Sequence, residues 1–506
     1  MSPVEPLSEQ FSGVQAGHCS SDSPSSITAA IASTAARLPH LPAILSDSEV
    51  ISFSELQSRV LTLAHAFTSQ GIGKGAGVGL QAPNGSGFIV GLLALLHCGA
   101  VVMPIPAGLT EDELRDLHAE IPVEALVKLG ESKSQAPPFM AVLCSLPFEF
   151  SLLRLSAASA ARRPFVPHVP NAALIRPTSG TTGKSKGVVF SHQSVLERLE
   201  ATQQNLRLTP DDRIVWVLPM AYHFISSILL YLKAGAGIVI ARDHLATSIS
   251  GAASTHGGTI LFGSPSIFAS LADLPPEYPL PRFRLPLSTS GALAPHIAAR
   301  FCARHGYLPR QIFGIIEVGL PLGQLDETSA PLGSLGYQLA PYDVKIVDDS
   351  GNENPAGSQG NLLVRGPGMF DAYLSPPQRR EEIVLDGFFS TGDLAVRHPD
   401  GSFQIVGRKK SSINFAGVKV FPEEVENILN LFPAVLQSRV HGIEHAQLGE
   451  IVCCDIVLKA GAATTEGELR RYCRKHLSTQ KIPQQFRFVT EIAMTGSGKI
   501  RRWREQ

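Results

Sequence analysis

The sequence predicts an α/β fold built of layered helices and strands. The chain has 506 residues, too many for one ordinary domain and enough to bury a sizeable core. Between residues 54 and 101 a helical pattern alternates with apolar strand patterns, the rhythm of a layered α/β domain. Apolar residues make up 44% of the chain and charged residues 17%, as in a globular protein.

The first elements follow a polar tail. Residues 1–26 are rich in Ser, Gly and Pro without periodicity, which predicts a disordered tail. A helix opens at Ser54-Glu55-Leu56, and residues 75–80 begin a strand. The apolar residues of the helix share one face: Leu56, Val60, Leu63, Ala64 and Phe67.

The longest apolar run covers residues 88–103. Its length alone allows a membrane span, but His97 interrupts it and Pro104 follows. The pattern favours a buried helix over residues 88–97 and a strand over 100–103, with Gly99 ending the helix.

The later elements are patterned less evenly. Residues 130–170 contain several prolines and predict an irregular connection. Residues 194–206 predict a helix capped by Ser191 or Ser194, and residues 213–218 predict a strand.

Net charge and cysteine content indicate the cellular compartment of the protein and the classes of partner that it binds. The net charge of −1 gives no field that favours nucleic acid or an anionic membrane. Seven cysteines without framework spacing suggest reduced thiols in a cytoplasm. The pair Cys453-Cys454 lies in an apolar run and predicts strand core rather than a metal site. The first basic residue is Arg37, so we expect no secretory or transit peptide.

Residues 178–187 combine glycines, hydroxyl side chains and two lysines between two apolar strand patterns, 172–175 and 187–192. Glycines allow a close approach to a ligand, and successive N–H groups with a lysine can bind phosphate. A Walker A loop would need glycine at Thr178, and a Ser/Thr/Gly linker would rarely join two strands.

Four further segments carry candidate chemistry, each with an ordinary structural alternative. His223 follows a strand, where open α/β sheets bind ligands, although a lone histidine is usually core or surface. Glu317 follows an apolar strand and would need Mg²⁺ or a basic side chain as partner. Asp393 ends a β-turn, and Lys499 lies on a glycine turn that could be a plain hairpin.

Taken in order, these segments resemble the motifs of the adenylate-forming superfamily, which includes acyl- and aryl-CoA ligases, peptide-synthetase adenylation domains and luciferases. The resemblance covers roughly residues 30–506 and begins with the AMP-binding signature at 178–187. The chain departs from the usual family pattern at four positions. Ser185 stands where the family usually has Pro, Ser290 where it has Gly, Ile316 where it has Thr and Asn361 where it has Glu.

The resemblance implies the roles of single residues. Lys499 would be the catalytic lysine, His223 would lie beside the acyl pocket and thiol tunnel, and Glu317 would hold Mg²⁺. Lys410 would be the hinge, and Gly417 would line the thiol tunnel. The remaining residues implied to bind nucleotide or acid are Thr178, Ser179, Gly180, Thr181, Thr182, Gly183, Lys186, Ser290, Gly291, Ala292, Phe313, Gly314, Asp393 (ribose hydroxyls) and Arg408 (ribose or phosphate).

The resemblance also implies the domain organisation. Layered α/β subdomains and a small β subdomain, with strands in 333–348 and 360–366, would form an ATP- and acid-binding domain over 27–408. A small mobile α+β domain over 409–506 would carry Lys499 as a lid. From residue 409 the chain has 15 Lys and Arg against 10 Asp and Glu, which fits a lid over anionic ligands or an ordinary solvated face.

The implied reaction adenylates a carboxylic acid with ATP and Mg²⁺, releases pyrophosphate and transfers the acyl group to coenzyme A. Residues 224–227 lack the carboxylate that would pair with an α-ammonium, and residues 315–320 are apolar apart from Glu317. We therefore expect an aromatic or medium-sized apolar acid, not an α-amino acid. The chain ends at Gln506, soon after Lys499, so we expect no fused carrier. The alternatives are an enzyme that loads a separate carrier protein and, because of Ser290 and Ile316, a catalytically weakened binding homologue.

Overall fold

A computed structural model describes residues 25–130, 140–155, 164–177, 186–326, 331, 333–415, 418–445, 449–494 and 500. It is a mixed α/β protein with a large N-terminal domain and a small C-terminal domain. The N-terminal domain contains two nine-stranded sheets and one four-stranded sheet, and the C-terminal domain contains a five-stranded sheet. This arrangement confirms the predicted fold class.

The first part of the chain alternates helices and strands. The elements are α1 (Ile27–Arg37), β1 (Pro42–Leu45), β2 (Val50–Ser52), α2 (Phe53–Ser69), β3 (Gly77–Gln81), α3 (Ser86–His97), β4 (Val101–Ile105), α4 (Glu111–Glu120), β5 (Ala125–Leu129), β6 (Met140–Leu146), β7 (Phe150–Leu155), β8 (Ala172–Arg176) and β9 (Val188–Ser191).

The middle of the chain continues this alternation. The elements are α5 (His192–Leu206), β10 (Arg213–Trp216), a π-helical turn (Phe224–Leu229), α6 (Leu230–Ala234), β11 (Gly237–Ile240), α7 (Ala246–Thr255), β12 (Ile260–Gly263), α8 (Pro265–Ala272), β13 (Leu285–Ser288), α9 (Pro295–His305), β14 (Arg310–Ile315) and β15 (Gly319–Gly323).

Short strands and a β subdomain follow, and the C-terminal domain closes the chain. The subdomain elements are β16 (Tyr337–Gln338), β17 (Asp343–Val347), β18 (Gln359–Arg365), β19 (Ala372–Tyr373), β20 (Gln378–Arg379), β21 (Phe389–Arg397) and β22 (Phe403–Arg408). The C-terminal elements are β23 (Ile413–Phe415), β24 (Val418–Val420), α10 (Pro422–Leu429), β25 (Val435–His445), β26 (Gly449–Leu458), α11 (Glu466–His476) and β27 (Gln485–Phe488).

The sheets bring distant parts of the chain together. One nine-stranded sheet has the order β16-β15-β14-β13-β12-β10-β11-β1-β2, and the other has the order β20-β19-β9-β8-β4-β3-β5-β7-β6. The β subdomain is β17-β18-β21-β22, and the C-terminal sheet is β24-β23-β26-β25 with β27 against β26. One large core cluster contains buried side chains from both nine-stranded sheets and from the helices α1, α2 and α3. The sheets that carry the predicted motifs are therefore held together by one core.

Several sequence predictions are confirmed by these bounds. The five predicted face residues of α2 are all buried, and Ser52 caps the helix by accepting a hydrogen bond from the Glu55 amide. The apolar run divides into α3 and β4, and Gly99 between them has φ +75°. Across the described residues no helix is both long and apolar enough to cross a bilayer. In the C-terminal domain Cys453 and Cys454 are buried in β26, as predicted.

The prediction of an irregular connection over residues 130–170 is wrong for part of that range. β6 and β7 form a hairpin, and β7 pairs antiparallel with β5 from Leu129–Phe150 to Ala125–Arg154. Pro164 lies after the two strands and Pro147 lies in their turn, so neither of these prolines interrupts a strand. Pro137 and Pro138 lie outside the described residues. The strand predicted over 213–218 ends earlier, at Trp216. Residues 1–24 of the predicted tail lie outside the described residues.

Candidate active site

The predicted phosphate segment lies between two paired strands. β8 and β9 are antiparallel, and their last described pair is Arg176 with Val188. Residues 178–185 lie outside the described residues, so the roles of Thr178, Ser179, Gly180, Thr181, Thr182 and Gly183 stay predictions. The described part of the segment begins at Lys186, whose carbonyl accepts hydrogen bonds from the amides of Leu374 (3.2 Å) and Ser375 (3.0 Å).

Tyr373 connects Lys186 to Glu317. The Lys186 Nζ lies 4.7 Å from the centre of the Tyr373 ring, a cation–π contact. The Tyr373 hydroxyl donates a hydrogen bond of 2.9 Å to Oε1 of Glu317. Burial raises the pKa of Tyr373 and the Glu317 carboxylate raises it further, so this hydroxyl stays protonated and remains a donor. The structure thus joins two predicted site residues through a tyrosine that the sequence did not single out.

Glu317 lies in a tight hairpin turn. The turn joins β14 to β15, which pair at Ile315 and Gly319, and the Glu317 carbonyl accepts a hydrogen bond of 2.8 Å from the Phe370 amide. The Glu317 side chain is partly exposed, and its Oε2 makes no hydrogen bond to the described residues. A partly exposed carboxylate oxygen is a suitable ligand for Mg²⁺. The sequence also allowed Glu317 to form an ion pair with a basic side chain. Glu317 forms no such ion pair with the described residues.

We expect Tyr373→Phe to weaken Mg²⁺ binding at the site without disturbing Lys186. The phenylalanine ring keeps the cation–π contact, whereas Glu317 loses the donor that orients it. Loss of one such bond costs about 1–3 kcal/mol, so the rate at limiting Mg²⁺ should fall by roughly tenfold and the half-saturating Mg²⁺ concentration should rise. Steady-state kinetics across a Mg²⁺ titration measure both.

Tyr231→Phe is the matched control for that variant. Tyr231 is buried against Trp216, and its hydroxyl finds no hydrogen-bond partner among the described residues. Its loss should leave the Mg²⁺ dependence unchanged. An unchanged Mg²⁺ curve for Tyr373→Phe would show that the hydroxyl does not position Glu317.

Two buried guanidinium groups lie in the electrostatic field of Glu317. Arg198 donates from Nε to the Gly368 carbonyl (2.8 Å) and from Nη1 to the Ile316 carbonyl (2.7 Å). Arg176 donates from Nη1 to the Ala221 carbonyl (2.6 Å). Burial lowers the pKa of each to about 10, and the Glu317 charge partly offsets that effect. Both groups are therefore cationic at neutral pH.

Ile316, which stands where the resembling family has threonine, is packed rather than polar. Its side chain lies partly buried against the main core, and its carbonyl accepts the bond from Arg198. Phe313 and Gly314 precede it in β14, with Phe313 partly buried and Gly314 exposed. A Cβ atom on Gly314 would lie 2.5 Å from Leu320 Cδ2 and 2.9 Å from the Gly319 carbonyl oxygen. This glycine allows the close approach of β15.

The segment that carries His223 is fastened by Asn84. The Asn84 amide donates to the Leu218 carbonyl (2.9 Å), and its oxygen accepts from the Met220 amide (2.8 Å). The His223 carbonyl accepts a hydrogen bond from the Ser227 hydroxyl in the π-helical turn that begins after it. Such turns are frequent at functional sites. Asn84 therefore fixes the backbone from which His223 projects.

Ser290 keeps a glycine-like backbone. It follows β13 with φ +71°, in the left-handed region that costs most side chains free energy. Its hydroxyl is buried and has no hydrogen-bond partner in the described part of the chain. Gly291 and Ala292 beside it are exposed, and the Leu293 amide donates to Gln311 (2.7 Å). The backbone thus has the geometry that a glycine would adopt here.

We expect Ser290→Gly to raise the melting temperature slightly. Glycine removes the strain of positive φ, about 1 kcal/mol, and the unpaired hydroxyl, against a cost in chain entropy of roughly 0.5–1 kcal/mol. Ser290→Ala keeps the strain and removes only the hydroxyl, so thermal unfolding of the two variants separates the effects. A lower melting temperature for Ser290→Gly than for Ser290→Ala would contradict the strain argument.

Asp393 and Arg408 form an ion pair across neighbouring strands. They are direct partners in β21 and β22, and Arg408 Nε lies 2.9 Å from Asp393 Oδ1. Asp393 is buried while the Arg408 side chain is half exposed. Phe389, at the start of β21, packs on Phe370, with 5.6 Å between ring centres, and the Phe370 amide bonds to Glu317. Phe370 therefore connects β21, which carries Asp393, to the turn that carries Glu317.

The predicted residues of the C-terminal domain are described only in part. Lys410 lies in a short 3₁₀ turn after β22, and nothing is described of its side chain. Gly417 and Lys499 lie outside the described residues. Met494 and Ile500, which flank the lysine segment, form an antiparallel bridge. The roles of these three residues, and the domain boundary at 408/409, stay predictions.

Comparisons with known proteins agree on one family. The model of the AMP-binding enzyme family matches residues 31–374, and the model of the C-terminal domain of AMP-binding enzymes matches residues 424–499. The chain is 29% identical over 492 residues to a sulfoacetate–CoA ligase of Cupriavidus necator, covering 94% of this chain and 96% of that protein. It is 26% identical over 469 residues to a feruloyl-CoA synthase of Amycolatopsis, covering 91% of this chain and 94% of that protein.

The fold matches solved structures as well. ATP-bound MatB from Rhodopseudomonas palustris superposes with a TM-score of 0.79 at 23% identity, covering 94% of this chain and 97% of the other. The first family model alone spans more than half of the 506 residues. The chain therefore belongs to the AMP-binding enzyme family, the adenylate-forming superfamily that its motifs resemble.

Proposed function

We propose that this chain, an AMP-forming acid–CoA ligase, adenylates an aromatic or medium-sized apolar carboxylic acid and transfers the acyl group to coenzyme A. The observation that carries the proposal is the series Lys186, Tyr373 and Glu317, in which a cation and an oriented carboxylate lie beside the strands of the phosphate segment. Catalysis on a triphosphate depends on positioning and electrostatic stabilisation. It therefore needs a cation for the phosphate oxygens and a carboxylate that can hold Mg²⁺.

Adenylation brings two anions together. A carboxylate oxygen of the acid attacks the α-phosphorus of ATP, a new P–O bond forms, and pyrophosphate leaves. Lys186 and the phosphate segment would bind the phosphates, and Lys499 would oppose the charge that develops as the bond forms. Asp393 and Arg408 would bind the ribose, with Ser290, Gly291, Ala292, Phe313 and Gly314 beside the adenine and the acyl group.

Mg²⁺ fits Glu317 only together with phosphate. The carboxylate offers Oε2 as an oxygen ligand, but Arg176 and Arg198 already place two positive charges in its field. A further cation is repelled unless phosphates bring negative charge with it. When bound there, Mg²⁺ would neutralise phosphate oxygens.

The thiol step uses a different set of residues. The C-terminal domain would turn about Lys410 and withdraw Lys499, after which coenzyme A would enter between His223 and Gly417. The Asn84 contacts hold the backbone of the His223 segment in place for this step. The sulfur would form a thioester with the acyl carbon, and AMP would leave. The free thiols of the described cysteines support the reduced, cytoplasmic setting that we propose.

The charges near His223 argue against an α-amino acid. Residues 224–227 carry no carboxylate, and the cationic Arg176 lies 5.0 Å from the centre of the Tyr222 ring. An ammonium group placed there would therefore meet the like charge of Arg176, and residues 224–227 would supply no carboxylate to pair with it. Ile315 and Ile316 are partly exposed beside Glu317 and supply apolar surface for the acid.

A screen of carboxylic acids by pyrophosphate release tests the proposal. Acids that respond are then incubated with ATP and coenzyme A, and the thioester is identified by mass. Pyrophosphate release without an acyl-CoA product would favour transfer to a separate carrier protein. No release with any acid, combined with ATP binding, would favour a binding homologue.

A further inference from the structure

Arg176 is a buried cation at the end of β8 that contacts the segment before His223. It is the last residue of β8, it is 6% exposed, and it donates to the Ala221 carbonyl at 2.6 Å. Its guanidinium carbon lies 5.0 Å from the centre of the Tyr222 ring. Within the described ranges no carboxylate approaches Arg176 to ion-pair distance, and Glu317 acts on it only through its longer-range charge.

Most N–H donors of the Arg176 guanidinium make no hydrogen bond to the described residues. Arginine has five N–H donors in a planar fork, and the described residues accept one hydrogen bond from Arg176. A buried charge is costly unless a counter-ion and hydrogen bonds offset the loss of water. Burial lowers the pKa of Arg176 to about 10, which leaves it charged at neutral pH.

Arg198 is a second buried arginine in the same region, and it bonds to more of the chain than Arg176 does, although its Nη2 has no hydrogen-bond partner among the described residues. Two of its nitrogen atoms bond to backbone carbonyls, those of Gly368 and Ile316, and its guanidinium lies 4.6 Å from the centre of the Phe190 ring. It joins three separate parts of the chain. Arg176, in contrast, makes its side-chain hydrogen bond and its ring contact, among the described residues, with the short Ala221-Tyr222 segment before His223.

We propose that Arg176 binds a second anionic group of the acid substrate, a carboxylate or sulfonate at the end away from the reacting carboxyl group. The inference rests on the proposed function, because it takes the His223 segment to border the acyl pocket. Two oxygen atoms of a carboxylate or sulfonate can accept N–H bonds from the guanidinium fork and supply a counter-charge at contact distance. The acid is then apolar in its middle part and anionic at its far end. We assign the acid rather than ATP because Arg176 bonds toward Ala221, not toward Lys186.

The test compares matched acids with wild type and two variants. Each pair shares one skeleton and differs in the far group: adipate against hexanoate, and terephthalate against 4-methylbenzoate. Wild type should favour the acid with the second anion by on the order of 100-fold in kcat/KM for pyrophosphate release. Arg176→Gln keeps a donor for the Ala221 carbonyl but removes the charge. At saturating Mg²⁺ the preference for each dianionic acid over its neutral partner should therefore fall by a similar factor. Arg176→Lys should keep part of the preference.

Other outcomes overturn the assignment. Equal losses for both acids of a pair would mean that Arg176 only supports the His223 segment. A raised KM for ATP without a changed acid preference would assign Arg176 to the nucleotide phosphates. A wild-type preference for the neutral acids would refute the inference even if no variant folds, yet it would leave the ligase function intact. Failure of every acid to release pyrophosphate would instead refute the proposed function.

Discussion

Lys499→Ala should lose acid-dependent pyrophosphate release but still form acyl-CoA from a supplied acyl-adenylate. Lys499 is expected to stabilise the charge that develops as the acid carboxylate attacks ATP, and loss of one such group typically costs about 10²–10³ in rate. The thioester step needs no such cation, because the phosphate is by then a leaving group bound as AMP. Coupled pyrophosphate release measures the first step, and mass detection of acyl-CoA measures the second.

Lys481→Ala is the matched control in the same domain. Lys481 forms a partly exposed ion pair with Glu424, at 2.6 Å, and such pairs contribute little. Both half-reactions should therefore proceed normally in this variant. Normal adenylation by Lys499→Ala would show that the lysine assigned from the motif is not the catalytic one. Equal loss of both half-reactions would instead indicate that the change damages the whole domain.

The sequence predicted the elements whose burial pattern is local. The apolar face of α2 and the division into α3 and β4 could be read directly, because period and composition alone specify them. The hairpin of β6 and β7 could not be read, because its pairing with β5 depends on a partner strand elsewhere in the chain. Prolines near strand ends look the same in sequence as prolines that interrupt a strand.

The candidate site was predicted from its motifs but not from its internal contacts. Glu317 and Lys186 were proposed as site residues from their positions in the motifs. The contact of Tyr373 with Lys186 depends on the pairing of β19 with β9, which the sequence does not show. Arg176 and Arg198 were missed because the sequence position of a basic residue gives no sign of what its side chain faces. The one available signal was Arg176 itself, a charge at the end of an otherwise apolar strand pattern.

Glu317→Gln should lower the rate of adenylation by about 10²–10³ and raise the Mg²⁺ concentration needed for half-maximal rate. Glutamine keeps an oxygen that can accept from the Tyr373 hydroxyl, so the geometry of the turn is retained. It removes the negative charge that would hold Mg²⁺ and that offsets Arg176 and Arg198. Initial rates of pyrophosphate release across a Mg²⁺ titration, together with the melting temperature, measure these effects.

Asp371→Asn is the control that separates two roles of Glu317, as a counter-charge for the buried arginines and as a ligand of Mg²⁺. Asp371 also acts on Arg198 through its charge, but it accepts hydrogen bonds from the Ser191 amide (2.6 Å) and the Ser194 hydroxyl (2.7 Å) at the start of α5. If Glu317 served only as a counter-charge for the buried arginines, both variants would lower the melting temperature and neither would change the Mg²⁺ dependence. A metal-binding role requires that the Mg²⁺ curve shift for Glu317→Gln alone. Because the two carboxylates share Arg198 but only Glu317 lies in the turn beside Tyr373, this comparison decides between a counter-charge and a metal ligand.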